Sequence, residues 1–170
     1  MSAATHSARD YREWRQWIRV NPKPKIVIVD SSFVLTLLAT PGRKVNACRE
    51  FIGTMACDGA TVHVTEWTVN EVYHIIWEKH RDNRDDFQTV LASANRVLSM
   101  FKTFTIRTDE VGAVRAAATN LLLNHASAIG ITDAYILASG QTRGAHFVGS
   151  DRGWHAIVGV NVWVTPTLRF

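Results

Sequence analysis

The sequence predicts an α/β domain whose mostly parallel central sheet is flanked by helices. Three observations carry that expectation. Strand-like runs alternate along the chain with segments of helical periodicity, the pattern of right-handed βαβ crossovers. The strongest run, KIVIVD at 25–30, is apolar at successive positions, as a strand covered by helices on both faces must be. And at 170 residues, 46% of them hydrophobic, the chain has the length and apolar content for one substantial core.

Residues 1–24 read as a basic amphipathic arm and 25–170 as the domain proper. At about 100° per residue, Tyr11, Trp14 and Ile18 fall within about 60° of one another, and Trp17 widens the apolar arc to about 120°. Arg9, Arg12, Arg15 and Arg19 take the opposite side. A helix is expected, docked through its aromatic stripe on its own domain, a second protomer or a protein partner, with the arginines outside. Deleting it should weaken binding of a polyanion if those arginines guide one. Pro22 and Pro24 end the helix and lead into the first strand, 25–30. Ser31 and Ser32 offer cap hydroxyls to an apolar helix that Pro41 and Gly42 stop.

A second helix is expected over 43–58, with Val45, Cys48, Phe51, Ile52 and Met55 on one face, then a short strand TVHVT at 61–65. The stripe Val69, Val72, Tyr73, Ile76 and Trp77 makes 65–80 helical. After the charged break RDNRDD, another helix runs from about 87 to 101. TFTIRT, 103–108, alternates and is β-branched, as strands are. Helices follow over 109–126, with acids at the N-terminal end, and over 132–142. HFVGS (146–150) and NVWVT (161–165) are the last strands.

Composition narrows the function classes. No run approaches the roughly 18 apolar residues of a membrane span, and the N-terminus lacks the apolar centre of a signal peptide, so a cytoplasmic protein is expected. Cys48 and Cys57 fit neither a CxxC site nor a disulfide framework and read as reduced thiols. The histidines are scattered, and His74 and His80 in one helix are not spaced as a ligand pair. Most tryptophans, including Trp67, Trp77 and Trp163, fall in expected helices or strands and read as core. The basic pI of about 9.4 is local in origin: residues 1–25 hold six basic and two acidic groups, and the remainder carries thirteen of each.

Four acids stand out by position. Asp30 ends the first strand and Asp151 lies just past a later one, so both reach the carboxyl edge of the sheet, where functional groups of open α/β sheets gather. Glu71 falls early in the helix after TVHVT, and Asp133 opens the helix after Gly130. Convergence of these groups needs a counter-ion, because two carboxylates about 5 Å apart repel by roughly 3 kcal/mol at an effective dielectric near 20. An oxygen-only donor set favours Mg²⁺ or Mn²⁺, ions that activate water and clamp phosphate oxygens in nuclease chemistry.

In this order, IVIVDSSFVLTLL, TEWTVNEVY, GITDAYILASG and HFVGSDRGW resemble the successive acidic motifs of the PIN-domain nucleases, most closely the VapC-type toxin ribonucleases of toxin–antitoxin pairs. The resemblance spans about 25–164. Each motif is unspecific alone; the ordered set is specific. It implies a PIN-like fold, with Asp30, Glu71, Asp133 and Asp151 as catalytic and metal-ligating acids. It further implies Mg²⁺- or Mn²⁺-dependent cleavage of single-stranded or loop RNA to 5′-phosphate and 3′-hydroxyl ends, a homodimer, and a small antitoxin as partner. The departure from the pattern is the arm, which many compact members lack.

Each feature has a plainer reading. Asp30 ends a strand, as Asp commonly does before a turn. Thr68 and Glu71 have capping-box spacing, with Glu66 as the substitute acid. Asp133 complements a helix dipole, and SDRG around Asp151 suits a turn. Ser31 and Ser150 flank proposed ligands and orient either a ligand or a water; a cap and a turn hydroxyl explain them equally. Arg152 steers a phosphate or simply faces solvent. Two further functions compete: a haloacid-dehalogenase-like phosphatase, which needs an acid where Ser32 stands, and a non-catalytic PIN-like module that binds RNA or protein.

Overall fold

The structure, a computed structural model, describes residues 8–149, 152–155, 157 and 159–168. The elements in chain order are β1 (Ala8–Asp10), α1 (Trp14–Val20), β2 (Ile26–Val29), α2 (Ser31–Leu38), α3 (Arg43–Cys57), β3 (Thr61–Thr65), α4 (Glu66–His80), α5 (Arg84–Leu98), β4 (Lys102–Phe104), α6 (Val111–His125), α7 (Ile131–Gln141), β5 (His146–Gly149), α8 (Arg152–His155) and β6 (Val162–Val164). The sheet order is β1-β6-β5-β2-β3-β4 and every pairing is parallel. All six carboxyl ends therefore share one rim. From β2 the chain winds outward to β3 and β4; the later strands β5 and β6 lie on the other side, so the order reverses between β2 and β5. That reversal opens the crevice in which such sheets place their sites. Among the described residues no helix is long and apolar enough to cross a membrane.

The apolar strands alternate between two cores. Val27 and Val29 of β2, with Val148 and Trp163, pack into one cluster that includes Phe33, Phe51, Met55 and Val72. Ile28, Phe147 and Val162 point the other way, among Val114, Ile136, Leu137 and Trp154. Gly140 lets α7 lie close on the sheet: a Cβ there would stand 2.5 Å from the Phe147 ring and 2.8 Å from Ile28.

The arm departs from the all-helical expectation. Its described residues begin as a strand, β1, paired with β6 through Ala8↔Val162, Arg9↔Trp163 and Asp10↔Val164. A 3-10 turn over Tyr11–Glu13 precedes α1. The unpaired edge of β6 supplies backbone partners that outweigh helical periodicity over these three residues. The aromatic stripe behaves as read: Trp14 is buried, and Tyr11, Trp17 and Ile18 pack against the same cluster. The Trp14 ring meets Trp163 edge-on at 5.0 Å, and its indole N–H donates to Asp58 at 2.8 Å. Arg9 does not stay outside; its guanidinium lies 5.6 Å from the Trp17 ring centre and 6.0 Å from that of Trp163.

Three other expectations shift. α5 starts at Arg84 because the Asn83 side chain caps it, accepting from the Asp86 N–H at 3.2 Å. β4 stops at Phe104, since Glu110 turns the following chain by accepting from the Arg107 N–H at 3.1 Å, while Arg143 pairs with Glu110. Trp77 is not core. Thr68, Val72 and Ile76 form the buried row of α4, and Trp77 stands 47% exposed between His74 and Arg81, whose guanidinium lies 5.0 Å from its ring. Cys48 is buried and Cys57 exposed, both free thiols.

Candidate active site

Asp30 sits at the reversal point, one residue past β2, where its backbone N–H still donates to Val148 of β5 at 3.0 Å. It is the N-cap of α2: one carboxylate oxygen accepts from the Phe33 N–H at 2.8 Å, and the Ser32 hydroxyl donates to both oxygens at 2.9 and 2.8 Å. The side chain is buried. Burial pushes its pKa up to about 7; the Phe33 and Ser32 donors oppose the rise, and the charges of Glu71 and Asp133 add to it. Two of the other three expected acids thus lie close enough for their charges to reach Asp30.

Their placement follows from the helix starts. Thr65, not Thr68, caps α4, accepting from the Thr68 N–H at 3.1 Å. Glu71 lies beyond the capping positions, and the capping-box reading of Thr68 and Glu71 falls. Glu66 opens the same helix and is exposed. Asp133 is third in α7; one oxygen accepts from the Gly130 N–H at 3.2 Å and the other from the Trp154 indole at 2.9 Å. The helix-start role proposed for Asp133 is therefore present.

Ser150 and Asp151 lie outside the described residues. Arg152 opens α8, and its side chain is likewise outside what the structure describes. Ser31 is buried at the start of α2, and the hydroxyl on the Asp30 carboxylate is that of Ser32. Among the described residues, no three His, Cys, Asp or Glu side chains converge as tightly as a metal site requires. What the described acids provide is a buried carboxylate under pressure from two others, with oxygen donors alone. That chemistry suits a hard divalent cation, whose charge relieves the repulsion.

Sequence reasoning missed two contributors. A Cβ on Gly149 would stand 2.3 Å from an Asp30 oxygen, so β5 must end in glycine for the carboxylate to fit. Trp154, buried on the second core, orients Asp133 through its indole. The only sequence signal for either was its presence in HFVGSDRGW.

Away from these acids the rim is not flat. On the β3–β4 side a cavity of about 360 Å³ is lined by Trp67, Phe104, Ile106 and Tyr135, with Trp67 stacked on Tyr135 at 5.1 Å. On the β1–β6 side lies a cavity of about 410 Å³ with a basic wall.

The family model described as PIN domain matches residues 27–159. Several solved structures share the fold. VapBC2 from Rickettsia felis, bound to a DNA fragment from their promoter, is similar with a TM-score of 0.63 at 13% identity, covering 83% of this chain and 99% of that one. FitAcB from Neisseria gonorrhoeae gives 0.61 at 16%, covering 81% and 96%. VapC20 from Mycobacterium tuberculosis, a sarcin-ricin loop cleaving toxin, gives 0.51 at 16%, covering 71% and 85%. At such identities the likeness is one of fold. No curated protein matches the sequence.

Proposed function

The chain belongs to the PIN-domain family, and from that premise we propose that it is a Mg²⁺- or Mn²⁺-dependent endoribonuclease for single-stranded or loop RNA, the toxin of a toxin–antitoxin pair. The observation that carries this reading is the state of Asp30, a buried carboxyl at the sheet's reversal point raised to about 7 by burial and by the charges of Glu71 and Asp133. A purely structural N-cap needs one acceptor and gains nothing from the charges of two further acids.

In this reading Asp30, Glu71, Asp133 and Asp151 hold the cation and are the catalytic acids. When bound, the cation supplies activation of water and a clamp on phosphate oxygens. Ser32 and the Phe33 N–H fix the Asp30 carboxylate, and Trp154 fixes that of Asp133. Ser31, Ser150 and Arg152 are kept as neighbours of the substrate path. A small antitoxin, a homodimer and a cytoplasmic setting belong to the same proposal and are supported by the VapC-like fold.

The test is cleavage of an end-labelled RNA containing unpaired loops, with Mg²⁺ or with EDTA, by wild type and Asp30→Asn. Cleavage that needs the metal, disappears in the variant and leaves 5′-phosphate and 3′-hydroxyl ends is expected. A cyclic phosphate product, or equal cleavage by the variant, overturns the reading. RNA retained intact by the wild type with Mg²⁺ present points to the non-catalytic binding module.

A further inference from the structure

The basic cavity on the carboxyl rim plays no part in the acidic site. β1 and β6 end on it through Asp10, Val164 and Thr165; the first turn of α3 adds Arg43 and Lys44, and Arg12 contributes to its wall. Its distance from the acids follows from the sheet. Asp30 touches Gly149 at the end of β5, Gly149 pairs with Val164, and Val164 pairs with Asp10. At roughly 4.8 Å per strand, the cavity begins about 10 Å from Asp30 along the same rim.

The charges there work against the fold. Arg43 and Lys44 are the first two residues of a 15-residue helix whose first turn holds no acid and whose N-cap, Gly42, offers no side chain. Cations at the positive pole of a helix destabilise it. Arg43 has no carboxylate partner among the described residues, and Lys44 donates to the Thr167 carbonyl at 3.2 Å. Only Arg12 is paired: Asp10 accepts from it at 2.8 and 2.6 Å and fixes its direction. Three cations thus face one acid. Basic groups continue down the arm, where Arg15 and Arg12 share a second cavity of about 270 Å³ with one acid, Glu50, and Arg19 follows one turn later, exposed. An anionic membrane is a poor match for this surface, because the aromatic face of the arm is occupied by the core.

We propose that the cavity and the arginine face of the arm form a phosphate-binding track for the RNA strand as it runs from the acidic site, with Arg15, Arg43 and Lys44 each meeting a backbone phosphate. The proposal rests on the ribonuclease reading above. It gives the arm a function that its packing alone does not: β1 supplies one wall of the cavity, and residues 1–25, with Arg15 and Arg19 in α1, carry the net positive charge that the evenly balanced remainder of the chain lacks. Phosphate contacts position a strand without reading its bases, so the track extends substrate binding and does not select sequence.

Deleting the arm is a poor test, because it strips Trp14 and the β1 pairing from the core. Instead, binding of a fluorescein-labelled single-stranded RNA is measured in EDTA over a salt series. The proteins are wild type, Arg15→Gln/Arg43→Gln/Lys44→Gln, and a charge-matched control, Arg84→Gln/Arg96→Gln/Lys102→Gln. At roughly 0.7 per phosphate on a single strand, the first variant should lower the slope of log K against log salt by about 2, and the control should keep the wild-type slope. Wild-type affinity then falls about 16-fold more than the variant's between 50 and 200 mM salt. An unchanged slope in the first variant, with its melting temperature at the wild-type value, overturns the track. An equal loss in both variants overturns it too, since that is an effect of net charge. Failure of the ribonuclease reading shows separately, as RNA cut equally by wild type and Asp30→Asn.

Discussion

Asp30 closes the apolar run of β2, which delivers its carboxylate to the rim, and the residue that shapes its seat comes from far along the chain. Gly149 is 119 positions away and approaches only because β2 and β5 pair in register, through Val29↔Val148. No periodicity reports such a contact. Gly149→Ala would drive a methyl group to 2.3 Å from the Asp30 oxygen, and since that oxygen is also tied to Ser32, the carboxylate must move. A displacement near 1 Å costs on the order of 100-fold in activity, and stabilisation by added Mg²⁺ should fall with it. Gly53→Ala is the control: nothing lies within 4 Å of the new methyl, and its site is an exposed position in α3. It should leave activity unchanged and raise stability slightly. RNA cleavage by Gly149→Ala at the wild-type rate would remove the carboxylate's position from the mechanism.

Helix caps mark what an element-level reading reaches and where it stops. Thr65 and Thr68 are equally good cap residues by type, and the spacing of Thr68 and Glu71 favours the later start. The structure selects Thr65 because β3 carries it, extended, to the rim, where its hydroxyl meets the Thr68 N–H and hydroxyl at 3.1 and 3.0 Å. Thr68 in turn reaches the Val29 carbonyl at 3.4 Å, linking α4 to the strand that delivers Asp30. The same competition explains β1: a helical pattern was correct about which arm residues face the core and wrong about the backbone of three of them, because the edge of β6 is a tertiary partner. Thr65→Ala should cost about 1 to 2 kcal/mol in urea unfolding, the loss of a cap and of a buried hydroxyl pair. Thr68→Ala, which leaves the cap oxygen in place, should cost less. The reverse ranking would restore the capping role to the later threonine.

At the scale of the whole molecule, the amino and carboxyl edges of the sheet carry buried groups, His146 at the start of β5 and Asp30 past the end of β2, that titrate in opposite senses. His146 packs between Trp17 and Trp163, accepts from the Trp163 indole at 3.1 Å, and is held down to about 4 by burial and then by the Arg9 charge. Its unfolded value is 6.5, so between the two the unfolded chain binds the extra proton. The stability it contributes is complete above about 6.5 and is lost, by about 3 kcal/mol, as pH falls to 4. Asp30 runs the other way. Its native value of about 7 lies above the unfolded 3.8, so the native state holds the extra proton and loses about 4 kcal/mol as pH rises across that interval. The arm's anchor therefore favours a neutral medium and the metal-free acidic site an acidic one, and the wild-type curve alone conceals both. Unfolding free energies in EDTA from pH 4 to 8 separate them by difference. Wild type minus His146→Phe should rise with pH up to about 6.5, while Asp30→Asn minus wild type should rise up to about 7 and then level. Added Mg²⁺ at pH 8 should stabilise the wild type more than Asp30→Asn, because only the ionised carboxylate gains from the cation. A flat difference for His146→Phe would detach the arm's docking from that imidazole, and a flat one for Asp30→Asn would mean that its carboxylate is not under the pressure from which the proposed cation site is inferred.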